Sequence, residues 1–360
     1  VSCNKDIPQP EPITAPVIAD GVTIGDVLNT DTSYSFFKAA AMRVGVLASL
    51  TDKNNSYTLF LPTNSAFRFS GIPSEAALGS FPVETVGAIL SYHIIPGQQL
   101  TSADIPTTFP NLRQPSALTI GILPGTAIPI KMFIFPSKRA NGFWANNIPV
   151  VAPDKMFQNG VIHEVAAIVS PPSLVLAQMI YGDPQFSIFT AVIARGDSGQ
   201  PAGLTTRIDS ALKFPLANLT VFAPTNTAFK GLISALTGGA IPTAAPDEVF
   251  VSFVTNMLPV QNARGIVAYH IMGDRAFSVN FPDAPAFFPT LLNGAIPSHP
   301  GVQVQTSFTG PFGTGLQITG LGTLPPGGTP YSGGAAIASP FDKIAVNGIL
   351  HVIDKVLLPQ

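Results

Sequence analysis

Four of the five histidines in this 360-residue chain stand at positions that recur. His93 and His270 each follow a tyrosine in Tyr-His-Ile, and His163 and His351 each close an Asn-Gly-led apolar run. Histidine changes charge near neutral pH and serves as a general base and a metal ligand, so chemistry here would be built on these side chains. Either role needs company. Asp154 and Glu164 near the first set, and Asp342 and Asp354 near the second, do not align as a repeated carboxylate partner. No H-x-x-x-H, C-x-x-C, G-x-S-x-G or phosphate-cradling glycine loop accompanies them. A hydrolase built on His270 or His351 would therefore lack a nucleophile motif. Each histidine also lies in an apolar, strand-like run, where an imidazole more often bonds a backbone carbonyl and fills the core. The expectation is four structural histidines, no metal, no cofactor and no catalysis.

A second group of polar residues repeats as well. Residues 58–67 read TLFLPTNSAF and residues 220–229 read TVFAPTNTAF, identical at seven of ten positions. Thr63, Asn64, Thr225 and Asn226 follow a short apolar run stopped by proline. Small oxygen-bearing side chains there are the types that cap a helix, which accounts for them without a binding role. Tyr92 and Tyr269 read as buried rings with a bonded hydroxyl. Asn54-Asn-Ser56 and Asn218-Leu-Thr220 match the glycosylation pattern, which matters only in a eukaryotic secreted protein. Trp144, the single tryptophan, has polar, turn-prone flanks in NGFWANN and suits a partly exposed contact or a lid over the core equally.

These residues need elements to hold them. Ile24, Val27, Leu28 and then Phe36, Phe37, Ala40 and Val44 fall at helical spacings and predict helix, turn, helix. TLFLP predicts a strand, followed by a helix carrying Phe67. VETVGAILSYHII predicts a helix running into a strand, and NGVIHEVAAIV a turn feeding a last strand. Helices early and strands late, without regular alternation, indicate an α+β fold. The anchors recur in order, with offsets that rise from 152 at Asp31/Asp183, through 162 and 177, to 188 at Asn159/Asn347. One domain has been duplicated, and its second copy has gained loop length. The boundaries read from this are a tether at 1–19, copy one at 20–171 and copy two at 172–360, each copy long enough for its own core. Each is expected to fold by itself, with Phe67 and Phe229 buried.

Together the decapeptide, the Tyr-His pair and the closing NGVIHEV or NGILHVID strand resemble the fasciclin family. The resemblance covers about residues 20–171 and 172–359. It implies two tandem domains, each a β-sheet wedge with helices packed around it, and an extracellular adhesion or interaction role with no chemistry general to the family. Thr63, Asn64, Tyr92, His93 and His163, with Thr225, Asn226, Tyr269, His270 and His351, are then family-motif positions. Glu164 and Val165, where copy two has Val-Ile, and Gly273 opposite Pro96 depart from strict repetition.

Composition narrows the partners. Net charge is −2, only 11% of residues are charged, and no basic stripe occurs, which disfavours nucleic acid. No run of 18 apolar residues reads as a membrane span. The sole cysteine, Cys3 in VSCNKD, resembles a bacterial lipoprotein's lipid-modified cysteine, and Pro8, Pro10, Pro12 and Pro16 suit a stiff tether. The expectation is lipidation at Cys3 and attachment at the bacterial cell envelope, outer membrane or surface, through that anchor only. From Ala284 to Phe341 the chain has no Asp, Glu, Lys or Arg, yet carries Phe287, Phe288, Phe308, Phe312 and Tyr331. A neutral surface bearing aromatics suits a flat protein face, a matrix component or a neutral glycan. These five are the candidate contacts, with the loop tip at 322–334 expected to matter. Arg113, Lys131, Lys138 and Arg139 in the matching part of copy one make the copies unequal binders. The expected function is non-catalytic adhesion or interaction; the alternative is a glycan-binding accessory lipoprotein of an uptake system.

Overall fold

A computed structural model describes residues 21–122, 125–203, 205–324, 334–335 and 341–359. Cys3, Tyr331 and most of the 322–334 tip lie outside the described residues. Copy one runs α1 (Ile24–Thr30), α2 (Ser35–Arg43), α3 (Leu47–Thr51), β1 (Tyr57–Pro62), α4 (Asn64–Phe69), α5 (Val83–Tyr92) and β2 (Ile94–Pro96). It continues with β3 (Gln114–Ile122), β4 (Pro129–Ile134), β5 (Pro136–Arg139), β6 (Gly142–Ala145), β7 (Ile148–Phe157) and β8 (Gly160–Val165). Copy two repeats the plan with α6 (Leu176–Tyr181), α7 (Ser187–Gly196), α8 (Ile208–Lys213), β9 (Leu219–Pro224), α9 (Asn226–Leu236), α10 (Asp247–Met257), α11 (Val260–Tyr269) and β10 (Ile271–Met272). It closes with β11 (Ala286–Phe288), β12 (Val302–Thr309), β13 (Phe312–Thr319), β14 (Gly334–Ala335), β15 (Lys343–Ala345) and β16 (Gly348–Ile353). The fold is α+β, two copies in tandem, each with a helix-covered sheet around its central strand and a second sheet.

The decapeptide is the centre of each copy. β1 lies between β2, antiparallel, and β8, parallel, within the sheet β2-β1-β8-β7-β6-β5. β9 sits the same way between β10 and β16 in β10-β9-β16-β15. A strand covered on both faces should be apolar throughout rather than alternating, and TLFLP and TVFAP are. Leu59 and Leu61 face the helices, among Phe37, Phe67 and Leu90, whereas Phe60 faces Tyr92, Met132 and Phe143 on the other side. In copy two Val221 and Ala223 face the helical core and Phe222 the opposite one. Phe67 and Phe229 are buried in their helical cores.

Glycine is required where the closing strands meet the central ones. A Cβ on Gly160 would stand 2.3 Å from the Tyr57 carbonyl oxygen, and one on Gly348 would stand 2.3 Å from that of Leu219. No side chain fits at either place.

The copies also share a core. Phe135 and Trp144 of copy one cluster with Phe277, Val279 and Ile349 of copy two. Trp144 is fully buried there and donates its indole N–H to the Pro311 carbonyl at 2.8 Å. That answers the question its polar flanks left open: it is neither a surface contact nor a lid, but a plug between the copies.

Candidate functional site

The histidines come first. α5 ends at Tyr92, and its last turn places the His93 Nδ1 2.7 Å from the Ile89 carbonyl, while Nε2 lies 3.0 Å from the Val169 amide. An imidazole nitrogen facing an N–H must accept, so Nδ1 carries the proton and donates. His270 repeats this at the end of α11, with Ile266 at 2.8 Å and the Leu357 amide at 2.9 Å. Each ring therefore ties a helix end to the chain beyond the last strand. Burial holds both imidazoles down at about 4. With both nitrogens occupied, neither can take a proton from a substrate or bind a metal without breaking a buried backbone bond.

The second pair sits on the closing strands, opposite aromatic rings of the central ones. In register, His163 faces Phe60 and His351 faces Phe222, with ring centroids 5.4 and 5.6 Å apart. His163 Nε2 lies 2.8 Å from the Leu100 carbonyl, and its Nδ1 accepts the Asp154 amide at 3.2 Å. Burial pushes its pKa down. His351 has the Phe341 and Ala276 carbonyls at 3.0 Å from its two nitrogens.

Here the structure corrects the carboxylate reading. Asp154 and Asp342 differ by the same offset of 188 as the histidines beside them, and they occupy equivalent places. The Asp154 carboxylate accepts the Ser102 amide at 2.7 Å and its hydroxyl at 2.5 Å; the Asp342 carboxylate accepts those of Ser278 at 2.7 and 2.9 Å. Serine, aspartate and histidine thus gather twice, but in the wrong order for acyl transfer. A nucleophilic serine must give its proton to the imidazole, with the carboxylate behind. In this protein the serine donates to the carboxylate, and the imidazole nitrogens of His163 and His351 face the backbone. The trio closes a loop onto a strand. Among the described residues no group of three or more His, Cys, Asp or Glu is arranged to hold a metal ion.

The repeated Thr-Asn pairs hold the helices. Thr63 accepts the Ala66 amide and Thr225 that of Ala228, both at 3.3 Å, as N-caps of α4 and α9. Asn64 accepts the Phe36 amide and donates to Thr32 and Ser35; Asn226 accepts the Ile188 amide and donates to Pro184, Ser187 and Asp247. The Tyr92 hydroxyl donates to the Phe133 carbonyl and the Tyr269 hydroxyl to that of Gly301, each at 2.9 Å. Burial raises both phenols, Tyr269 to about 12.

The asparagine of each Asn-Gly turn does more than turn the chain. Asn159 is fully buried; it accepts the Ile24 amide and donates to the Leu50 and Asp52 carbonyls. Asn347 does the same with Leu176, Leu212 and Phe214. Each pins the first helix of its copy. The available signal was the repetition of Asn-Gly before each closing strand.

The five candidate aromatics separate. Phe288 packs inward, with its ring centroid 5.0 Å from that of Phe281 and 6.1 Å from Phe109 of copy one. Phe308 leans on the shared core, 6.5 Å from Trp144. Both rings are half-buried, partly covered by the neighbouring copy. Phe287 and Phe312 are about half exposed. Phe287 lies on the outer face of the sheet β11-β12-β13-β14, in register with Gln303 and Thr319, beside the pair Gln305 and Gln317. The Gln305 amide donates to Gln317 at 2.9 Å, and a shallow depression of about 160 Å³ is lined by Pro285, Gln303, Gln305, Gln317 and Thr319.

Of the cations that set copy one apart, Arg139 turns into the contact between copies, donating to the Asn280 carbonyl of copy two at 3.4 Å and to Asn111 of its own copy at 2.8 Å. Arg113 lies over the Phe133 ring at 3.8 Å. The same contact buries Arg275 of copy two, its guanidinium 4.4 Å over Phe135 and bonded to Asn218 and the Val346 carbonyl.

Comparison with known proteins follows the same division. The fasciclin domain family matches residues 32–171 and 184–359. The transforming growth factor-beta-induced protein ig-h3 of Oryctolagus cuniculus is 26% identical over 151 residues, 42% of this chain and 20% of that protein. Protein sll1483 of Synechocystis is 25% identical over 154 residues, 42% of this chain and 74% of that protein. The match thus spans about a fifth of the length of ig-h3. A solved FAS1 domain pair from the insect cell adhesion molecule fasciclin I covers 90% of this chain and 96% of its own at 15% identity, with a TM-score of 0.35. Fasciclin domains occur in adhesion-type and extracellular proteins and are generally non-catalytic. With both repeated blocks matched over most of the chain, this protein belongs to the fasciclin family and carries two fasciclin domains in tandem.

Proposed function

We propose that this protein works outside the cytoplasm by binding, with the outer face of the copy-two sheet as its contact surface and a surface protein, matrix component or neutral glycan as its partner. The observation that carries this is the charge-free face on which Phe287 stands with Gln303, Gln305, Gln317 and Thr319. Amide side chains can give and accept bonds from hydroxyls and peptide groups, and an exposed ring offers a flat apolar seat. Among the described residues copy one has no second sheet of four strands: its β3–β4 hairpin packs against α5 instead. The recurring histidines, tyrosines and Thr-Asn pairs are occupied in holding the fold, so the reading looks away from them to this face. No helix among the described residues is long and apolar enough to cross a membrane. In this reading lipid on Cys3 supplies attachment at the bacterial envelope.

The experiment is a glycan array and an envelope pull-down with the full chain, repeated with Phe287→Ala/Gln305→Ala. The reading requires capture that survives moderate salt and disappears in the double variant while its melting temperature stays put. Capture that is unchanged in the variant, or lost steeply with salt, refutes it. Saturable binding of one defined oligosaccharide would select the glycan branch. Mass spectrometry of the native N-terminus tests the anchor separately, and an unmodified Cys3 would remove it.

A further inference from the structure

Copy two contains a cleft of about 1130 Å³. Small-molecule sites usually span roughly 300–1,000 Å³, so the space is ample for a long ligand. Its walls come from α8, α9, α11, the turn after Thr290 and the chain before the last residues, with Leu232, Leu236, Leu258, Leu291, Ile296 and Leu324 among the apolar lining. Leu236, Leu291 and Ile296 are substantially exposed, although apolar side chains at a groove this size are normally covered. The lining includes Arg207 and Arg264 but no Asp or Glu.

The two arginines differ. Arg264 is satisfied, donating to the Thr206 carbonyl at 2.9 Å and lying 3.4 Å from Asp197. The Nε of Arg207 is buried without an acceptor, one of only two such side-chain atoms among the described residues. Arg207 lines a cleft with two guanidinium groups and no Asp or Glu, so an anionic head is favoured there over a neutral one, and the planar fork of arginine matches a carboxylate. The fold also leaves room at the wall of the groove. Gly265 lies on α11 at the cleft wall, and a Cβ placed there meets nothing within 4 Å. Copy one has Ala88 at the matching position, on a helix packed by β3 and β4.

We propose that this cleft binds a monomeric long-chain carboxylate, with its chain along the leucine-lined groove and its carboxylate at Arg207. The site is separate from the sheet face, so the two readings stand or fall independently. The test uses the full chain and oleate, followed by displacement of a fluorescent fatty acid, with oleyl alcohol and phosphatidylglycerol vesicles as parallel probes. The expected result is saturable one-to-one binding of oleate and weaker binding of oleyl alcohol. Arg207→Gln should weaken oleate about tenfold and leave the alcohol unchanged, and Gly265→Phe should abolish both while the near-ultraviolet spectrum stays native. Phe287→Ala should not alter any of these. Equal affinity for oleate and the alcohol, full binding by Gly265→Phe, or binding to vesicles without saturation by free oleate would each overturn the proposal.

Discussion

The two copies solve the same packing problem and differ in what they leave over. Around the central strand they agree almost atom for atom: His93 and His270, Asn159 and Asn347, and Asp154 and Asp342 make matching bonds. Away from it they diverge. Copy one surrounds Glu164 with Tyr34 and Lys155, bonded to both, whereas copy two has Phe186 and Val352 in the corresponding places. Copy one lays a hairpin against α5, and copy two leaves a cleft beside α11. What is repeated is occupied with the fold, so function must be sought where the copies disagree.

The largest way to break this comparison is at the shared core. Trp144→Ala should cost about 3–5 kcal/mol in the full chain, as for other buried aromatics, read from denaturant unfolding. In residues 20–171 alone, where the copy-two surface is missing, the cost should be much smaller. Equal costs would show that Trp144 serves copy one only.

Acid sharpens the claim that the repeated histidines are equivalent. Their folded pKa values of about 4 lie below the ordinary 6.5, so between those limits the unfolded chain takes up protons that the native chain refuses. Stability is therefore complete above pH 6.5 and falls as pH drops towards 4, by on the order of 3 kcal/mol per histidine at about 1.4 kcal/mol per pH unit. His93→Gln and His270→Gln should each remove part of this slope. A slope untouched by either variant would show that other groups dominate.

Next come the asparagine pins. Asn159→Ala and Asn347→Ala each strand one buried amide and two carbonyls, and should cost about 2–3 kcal/mol each, with early loss of protection in α1 or α6 by hydrogen exchange. The smallest effect belongs to the difference between copies. Glu164→Val, which gives copy one the copy-two residue, removes a pairing with the half-exposed Lys155 and should cost under about 1 kcal/mol. A loss of several kcal/mol would make that group a necessary part of copy one. Titration of Tyr34, which burial and the Glu164 hydrogen bond push up to about 12, should move towards the ordinary phenol value in the same variant.

The strands and helices nearest the motifs were legible because each rule behind them is local. TLFLP followed by Thr-Asn encodes a strand, a proline stop and an N-cap within eight residues, and α5 running into β2 is visible in the spacing of VETVGAILSYHII. Repetition then carried the reading to the whole chain. The Asp154–Asp342 equivalence escaped because each carboxylate acts on a serine far away in sequence, at Ser102 and Ser278. The inward turn of Phe288 and Phe308 escaped for a related reason: a neutral, glycine-rich stretch looks like surface until the other copy is placed against it.

The sequence by itself determined the duplication, the α+β class and the types of residue that cap, turn and fill each core, because periodicity, capping and turn chemistry act over a few residues. Only the tertiary structure decided that Trp144 is a plug between copies, that Arg275 is buried over Phe135, and that Arg207, its Nε buried without an acceptor, lines an apolar cleft. Those outcomes depend on which surfaces meet after folding. The free energy of burying or stranding a group is a property of its neighbours, and those neighbours come from parts of the chain that no local pattern connects.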